Sequence, residues 1–334
     1  MTTLVTGATG FIGRRLTRAF CHLGEPVRIL ARRSSNLTPL ADLPVEVSYG
    51  DLSDPDAARA AGRGVRRGYN CAGMASDWGP WDVFQSANIT GVDNLLRAAA
   101  GEGGLERFVH ISTSDVHGYP NRRQMTEDAP IVDRRMYYNT SKIAGERLAW
   151  KAHREHGVPL VVIRPVSVYG PEDRNFVGEF VTILRSGNML LVGGGHSIAG
   201  LAYIDNVVDL LLLAGERKEA VGLAFSASDG SSITWREHTD RLAAIAGLPP
   251  ARISLPHDLA YALGWGMEQV WRLARRTSRP LATRHAVEVV GTHQDFSIAR
   301  AQRVLGYAPK VSYDEGMERV ARWLKDSGYP GQSR

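Results

Sequence analysis

Tyr138 and Lys142 stand four residues apart in the stretch YYNTSKIAGERL, residues 137–148. On a helix that spacing projects both side chains from one face. A phenol, with a pKa of about 10, is a poor acid or base near neutrality, and a neighbouring ammonium is expected to lower that value. The chain carries 35 Arg and only five Lys, so a Lys at this place departs from its usual cation. A compact ammonium can also reach a ribose hydroxyl, a task to which the planar guanidinium fork is less suited. About 25 residues upstream, VHISTSDVHG sets the hydroxyls of Ser112, Thr113 and Ser114 at the end of an apolar run. One hydroxyl there can hydrogen-bond a substrate oxygen while the tyrosine passes or takes its proton.

A third feature completes the chemistry. LVTGATGFIG places Gly7, Gly10 and Gly13 directly after an apolar run and at the opening of a helical pattern. Gly7 permits a tight turn, Gly10 lets backbone amides approach a pyrophosphate, and Gly13 lets the helix pack close to a sheet. Thr9, Phe11 and Ile12 fill the same loop and join the glycines as expected cofactor contacts. The second strand ends in ARRSS, where an acid would accept a hydrogen bond from a free ribose 2′-hydroxyl. Arg32 and Arg33 stand there instead and suit a 2′-phosphate, so NADP is expected, with NAD as the alternative. The ordinary alternative is that both are surface arginines of an Arg-rich chain. Asp51 and Leu52, after a third strand, are placed to meet an adenine ring. Glycine loop, hydroxyl and Tyr–Lys pair together describe hydride transfer to and from a carbonyl carbon.

These residues need a scaffold. Over the first 165 residues apolar runs alternate with helix-like segments, which predicts a parallel sheet wound with helices. Strands are expected at TLVT, PVRILA, VEVSYG, RFVHIS and LVVIRP, with helices near 11–23, 55–62, 81–100 and 137–156. GVRRGYNCAG falls where another strand is needed, although Arg66, Arg67 and Gly68 make it a poor one. Beyond RPVSVYGPEDR the rhythm changes to helices near 174–187, 205–216, 234–247, 257–276 and 314–327, among short strands near 189–192, 201–204 and 223–225. The expectation is an α/β, doubly wound Rossmann domain over 1–170 and a smaller, mostly helical substrate-binding portion over 171–334, with segments near 200–230 returning to the first.

With 334 residues, 43% hydrophobic and 22% charged, the chain reads as an ordinary globular protein. A net charge of +5 is spread as Arg without a basic block, so no nucleic-acid partner is expected. Cys21 and Cys71 form no CxxC pair, so neither a disulfide framework nor a metal site is expected. The opening MTTLVTG runs into a strand pattern without a signal peptide, and no apolar run reaches 18 residues. A cytoplasmic location is expected, with peripheral membrane contact at most and a homodimer allowed for.

At this point the sequence resembles the extended short-chain dehydrogenase/reductase superfamily, the NAD-dependent epimerase/dehydratase family. The residues that carry the resemblance are TGATGFIG, GDLSD, NCAG, SANITGVDNLL, ISTSDVHG, YYNTSK, RPVSVYGP, LAYIDNVVD and the closing FSIARAQRVLGYAPKVSYDEGMERVARWL. By position before Gly118, the resemblance makes Thr113 the catalytic hydroxyl, Tyr138 the acid/base and Lys142 its partner. It lays Asn70, Cys71, Ala72 and Gly73 along the cofactor, gives Asn88 a structural role, and sets Pro165 to Ser167 behind the nicotinamide. The family usually writes His or Val with small residues where YNCAG stands, which puts the Asn70 contact in question. His117 stands where Tyr is common, near the substrate or in the core.

Within the superfamily the chain is most similar to the 3β-hydroxysteroid dehydrogenase-like group, which includes bacterial reductases of 3-oxo-2-alkyl fatty acids. GHSIAGLAYIDNVVD lacks the Arg and Asp that sugar-nucleotide enzymes carry there, and MASDWGPWDVF resembles the steroid group. Ser114 and Asp115 stand where a dehydratase has an Asp-Glu pair. The resemblance implies a hydrophobic, sterol-like or acyl-like ketone or alcohol as substrate. The alternatives are a sugar-nucleotide epimerase or reductase, or a non-catalytic NADP-binding protein. Trp78, Trp81, Trp265 and Trp271 lie on segments expected to border the cleft, or else pack in the core. In LPHDLAYALGWGMEQVWRLARR, Leu259, Leu263, Met267, Val270 and Ala274 recur at helical spacing. That segment is expected to wall an apolar pocket and to touch a membrane, or else to be an ordinary core helix.

Overall fold

The computed structural model describes residues 2–101 and 103–329. Its strands are β1 (Thr2–Thr6), β2 (Val27–Ala31), β3 (Val45–Tyr49), β4 (Val65–Asn70), β5 (Arg107–Ile111), β6 (Arg122–Met125), β7 (Leu160–Pro165), β8 (Ser167–Tyr169), β9 (Leu190–Val192), β10 (Leu201–Tyr203), β11 (Leu223–Ala227), β12 (Ile253–Leu255) and β13 (Gln294–Phe296). Seven of them form one sheet in the order β11-β7-β5-β4-β1-β2-β3, every pair parallel. The order reverses between β1 and β4, which opens a crevice at their carboxyl ends.

Parallel sheets are covered on both faces, and the strand sequences reflect it. All six residues of β7 are buried. On one face lie α1 (Phe11–His22) and, later in the chain, Ile204–Glu216; Leu16 and Phe20 of α1 meet Val207 and Leu211 there. On the other face lie α2 (Pro55–Gly62), then the continuous run of α3 (Trp81–Gln85), a π-turn at Ser86–Thr90 and α4 (Gly91–Gly101), and finally α5 (Tyr137–His156). Ala58, Leu95, Leu96 and Ala149 share that second apolar layer.

β4 forms despite its two arginines, because the ends of their side chains find acids outside the core. Arg67 pairs with Glu25 at 2.8 Å and Arg66 with Glu106. Gly68 lies under the Phe108 ring, where an added Cβ would stand 3.3 Å from it. The strand is decided by its neighbours rather than by its own composition.

The remaining helices are α6 (Val177–Arg185), α7 (Ile204–Glu216), α8 (Trp235–Ile245), α9 (His257–Leu273), α10 (Arg284–Gly291), α11 (Ala299–Leu305) and α12 (Tyr313–Ser327). β11 joins the main sheet beside β7 and α7 packs on α1, so this stretch returns to the first layers. Trp235, Val181, Leu184, Tyr203 and Met317 build a separate apolar cluster beyond the sheet. Sequence reading did not foresee β6, β8, β12, β13, α10 or α11. The four strands are three or four residues long and pair only with distant partners, β6 with β13 and β12 with β9 among them. Such short elements carry too few residues for a period to show.

Candidate active site

The crevice is lined by the predicted glycine loop. Gly7 has φ +66°, and a Cβ there would come within 2.6 Å of the Ala72 amide nitrogen. A Cβ on Gly13 would strike the Gly7 carbonyl oxygen at 2.2 Å. Both positions therefore need glycine for close approach. Gly10 caps α1 in extended conformation without a side-chain bond, and the first turn holds no acid. Its amides are free for an anion, the arrangement that fits a pyrophosphate. Thr9 is exposed in the turn, while Phe11 and Ile12 open α1 and pack toward the C-terminal cluster.

Arg32 and Arg33 follow β2 on the same rim and are exposed. The Arg33 guanidinium stands 5.4 Å over the Tyr49 ring. Asp51 accepts from the amide and hydroxyl of Ser53, which hold its carboxyl below the usual range, and Leu52 abuts Gly91. Asn70 is buried, and its amide is taken up inside the sheet. Thr6 donates to its Oδ1 at 2.8 Å, and its Nδ2 meets His110 Nδ1 at 3.2 Å. Cys71, Ala72 and Gly73 follow it, with the Cys71 and Ala72 backbone lying against Gly7. Asn88, in the π-turn, accepts from the Met74 amide and donates to Met74 O and Ser141 Oγ, so it fixes the loop segment following β4. At the far side Pro165 ends β7, and the Ser167 amide donates to Gly200 O.

Thr113, Tyr138 and Lys142 converge at the carboxyl end of β5. The Thr113 hydroxyl accepts from the Asp115 amide at 3.2 Å and lies within hydrogen-bond reach of the Tyr138 phenol. Lys142 Nζ donates to Ile111 O at 2.7 Å, and burial brings its pKa down to about 8. One expectation fails here. Burial first, and then the negative charge of Asp115, push the Tyr138 phenol above an ordinary tyrosine, with the Thr113 hydrogen bond acting the other way. The ammonium points at a backbone carbonyl and does not offset those two effects. Burial and Asp115 together favour the neutral phenol. Ser112, the neighbour of Thr113, is occupied by Glu146, which in turn holds Arg164 bidentately in the core. His117 is a core residue: its Nδ1 bonds Pro130 O and its Nε2 meets Arg164.

Sequence reading missed the second half of the site. Asp115, two residues beyond Thr113, is buried and takes two hydrogen bonds at Oδ2, from Tyr119 Oη and from His285 Nε2, each 2.8 Å. Against the burial penalty, the His285 bond and charge hold the Asp115 carboxyl below its usual range, and the same pair raises His285. The His285 ring stands edge-on to Tyr138, centroids 5.5 Å apart. No motif announces this pair, because 170 residues separate its members and α10 was not foreseen. A cavity of about 290 Å³ adjoins His285 and is walled by Trp78, Trp81, Tyr137, Trp271 and Arg272. Asp77 anchors one wall: it takes two bonds from Arg279, at 2.5 and 2.6 Å, and one from Thr283.

Three of the four expected tryptophans border this cavity, and Trp265 is exposed elsewhere. The expected apolar stripe is also corrected. α9 buries Ala260, Gly264 and Glu268, because Gly264 packs directly on the Thr283 backbone. Leu259, Leu263 and Val270 face outward instead, and Glu268, Trp271 and the arginines near the helix end reach the cavity. No helix among the described residues is long and apolar enough to cross a membrane.

Comparison with known proteins follows the same lines. The NAD dependent epimerase/dehydratase family profile matches residues 3–225. The 2-alkyl-3-oxoalkanoate reductase of Stenotrophomonas maltophilia is 31% identical over 329 residues, covering 96% of this chain and 98% of that one. The 3 beta-hydroxysteroid dehydrogenase/Delta 5→4-isomerase of Mycobacterium tuberculosis is 30% identical, covering 94% and 88%. The crystal structure of gox2253 superposes with a TM-score of 0.81 at 28% identity, covering 98% of each chain.

Proposed function

The chain belongs to the NAD-dependent epimerase/dehydratase family and is an NAD(P)-dependent oxidoreductase, and from that premise we propose that it interconverts a ketone and a secondary alcohol on a hydrophobic, sterol-like or acyl-like substrate, with NADP as its dinucleotide. The observation that carries this reading is the aromatic cavity that reaches His285, one side chain from Tyr138. The tryptophans suit an apolar body, and Arg272, Arg275 and Arg276 on the same lining suit an anionic end such as an acyl carboxylate.

In this reading residues 1–170 hold the dinucleotide, helped by the stretch that returns to the sheet, and the rest of the chain chiefly shapes the substrate side. The α1 amides and Gly7, Gly10 and Gly13 receive the pyrophosphate. When bound, the nicotinamide supplies or accepts the hydride. Tyr138 gives its proton to the substrate oxygen in reduction, and the Thr113 hydroxyl steadies that oxygen. Lys142, pinned to Ile111 O, presents its remaining donors to ribose hydroxyls. Asp115 and His285 act through Tyr138 as positioning residues. The relatives' names favour acyl-like and steroid ketones over other carbonyl compounds. The test is NADPH oxidation over a panel of 2-alkyl-3-oxo acids, 3-ketosteroids and nucleotide sugars. Turnover confined to nucleotide sugars would replace this reading with the epimerase-type one.

NADP is favoured because the end of β2 offers two exposed guanidinium groups and no acid. We expect NADPH to bind at least about tenfold tighter than NADH, since a charge-assisted bond to phosphate contributes roughly 1.5–3 kcal/mol. Arg32→Ala should erase most of that difference in fluorescence titrations. Equal affinity of the unaltered protein for the two dinucleotides would refute the assignment.

A further inference from the structure

A helix packed on a protein surface normally turns charged residues to water. α9 does not. Its buried side is Ala260, Gly264 and Glu268, yet its outer side exposes Leu259, Leu263, Val270 and Leu273, the last two by 57% and 85%. Trp265 is half exposed on the other flank, and Ile253 and Leu281 extend the apolar surface on either side in sequence. Among the described residues, just over half of the exposed large apolar side chains therefore lie within residues 253–281. The charges near the helix end are of one sign. Arg272 stands over the Trp78 and Tyr137 rings at the cavity, and Arg275 and Arg276 follow it along the cavity wall. Among the described residues neither Arg275 nor Arg276 has an acidic partner, and Arg276 stacks only on Trp271.

We propose that the outer face of α9 docks on an anionic lipid bilayer, with the arginines at its C-terminal end on the headgroups and the cavity opening beside them. A bilayer supplies both things this face needs, apolar depth for the leucines and negative charge for the arginine end. A protein partner would have to match an apolar strip and an acidic rim together. The surface dips in without crossing, since no helix among the described residues is long and apolar enough to span. Loading of a lipid-like ketone through the adjoining cavity rests on the function proposed above, whereas docking does not.

The experiment is co-sedimentation of the full chain with phosphatidylcholine vesicles, with and without phosphatidylglycerol. Binding should be at least about tenfold stronger with phosphatidylglycerol and should weaken as salt rises. Arg275→Glu with Arg276→Glu should lose most of that preference. Leu263→Asp with Leu273→Asp should abolish sedimentation while leaving turnover of a water-soluble ketone unchanged, since neither leucine lines the cavity. The same variant should lose most of its rate on a ketone dissolved in the vesicles. Absence of sedimentation, or binding indifferent to lipid charge and to the arginines, overturns the proposal. So does a dimer, seen by analytical ultracentrifugation, that the leucine variant splits, because the face then belongs to a second copy. Sedimentation without any ketone turnover upholds docking and removes the proposed function instead.

Discussion

Tyr138→Phe is expected to lower turnover by about three orders of magnitude while NADPH affinity changes less than about twofold. The ring keeps its edge contact with His285 and its place in the first turn of α5. What disappears is the hydroxyl within reach of Thr113, and with it the proton donor for the substrate oxygen. General acid catalysis by a positioned side chain contributes roughly 10²–10⁴-fold, so loss of the donor should dominate. Because the proton moves only in the transition state, kcat and kcat/KM should fall together. Near-normal turnover by the purified variant, with cofactor affinity intact, would strip Tyr138 of its assigned role.

His285→Ala is expected to lower kcat for ketone reduction by about 10- to 100-fold, the equivalent of a lost hydrogen bond to a buried charge. The cause is the carboxylate that remains. Asp115 would keep only Tyr119 and Thr113 as side-chain partners, and its charge would act on Tyr138 without the imidazole beside it. That charge raises the phenol further, so alcohol oxidation, which needs the tyrosine as base, should begin at higher pH. Asp77 raises His285 and Arg279 lowers it, and both remain in the variant. Adding Asp115→Asn removes the uncompensated charge and should restore most of the rate. A purely structural loss would not be rescued in this way, nor would it move the pH profile. If the double variant is no faster than His285→Ala, the electrostatic link between Asp115 and Tyr138 is wrong.

The local part of this protein was legible in its residues. The glycine loop, the Tyr–Lys spacing, the hydroxyls after β5 and the alternation of strands and helices are each properties of a few neighbouring positions. A glycine that must avoid a neighbouring backbone, as Gly7 does at Ala72, leaves its mark at the position itself. A helix that carries Tyr138 and Lys142 on one face announces itself by spacing alone. The phenol's pKa did not follow from that spacing. Sequence proximity brought Lys142 close, but depth and the unforeseen Asp115 decided the direction.

The substrate side was a tertiary decision. β4 exists because β1 and β5 pair with it, and β6 and β13 exist only as each other's partners. His285 reaches Asp115 because α10 returns over the crevice, held by the bonds of Arg279 and Thr283 to Asp77. The periodicity of α9 correctly gave a helix with an apolar stripe, but not which side of it would be covered. That side was chosen by the small residues Ala260 and Gly264, which let the helix approach the Thr283 backbone more closely than its leucines could. Spacing within a segment fixes what can share a face; which face meets which partner depends on residues far along the chain, and only packing brings those together.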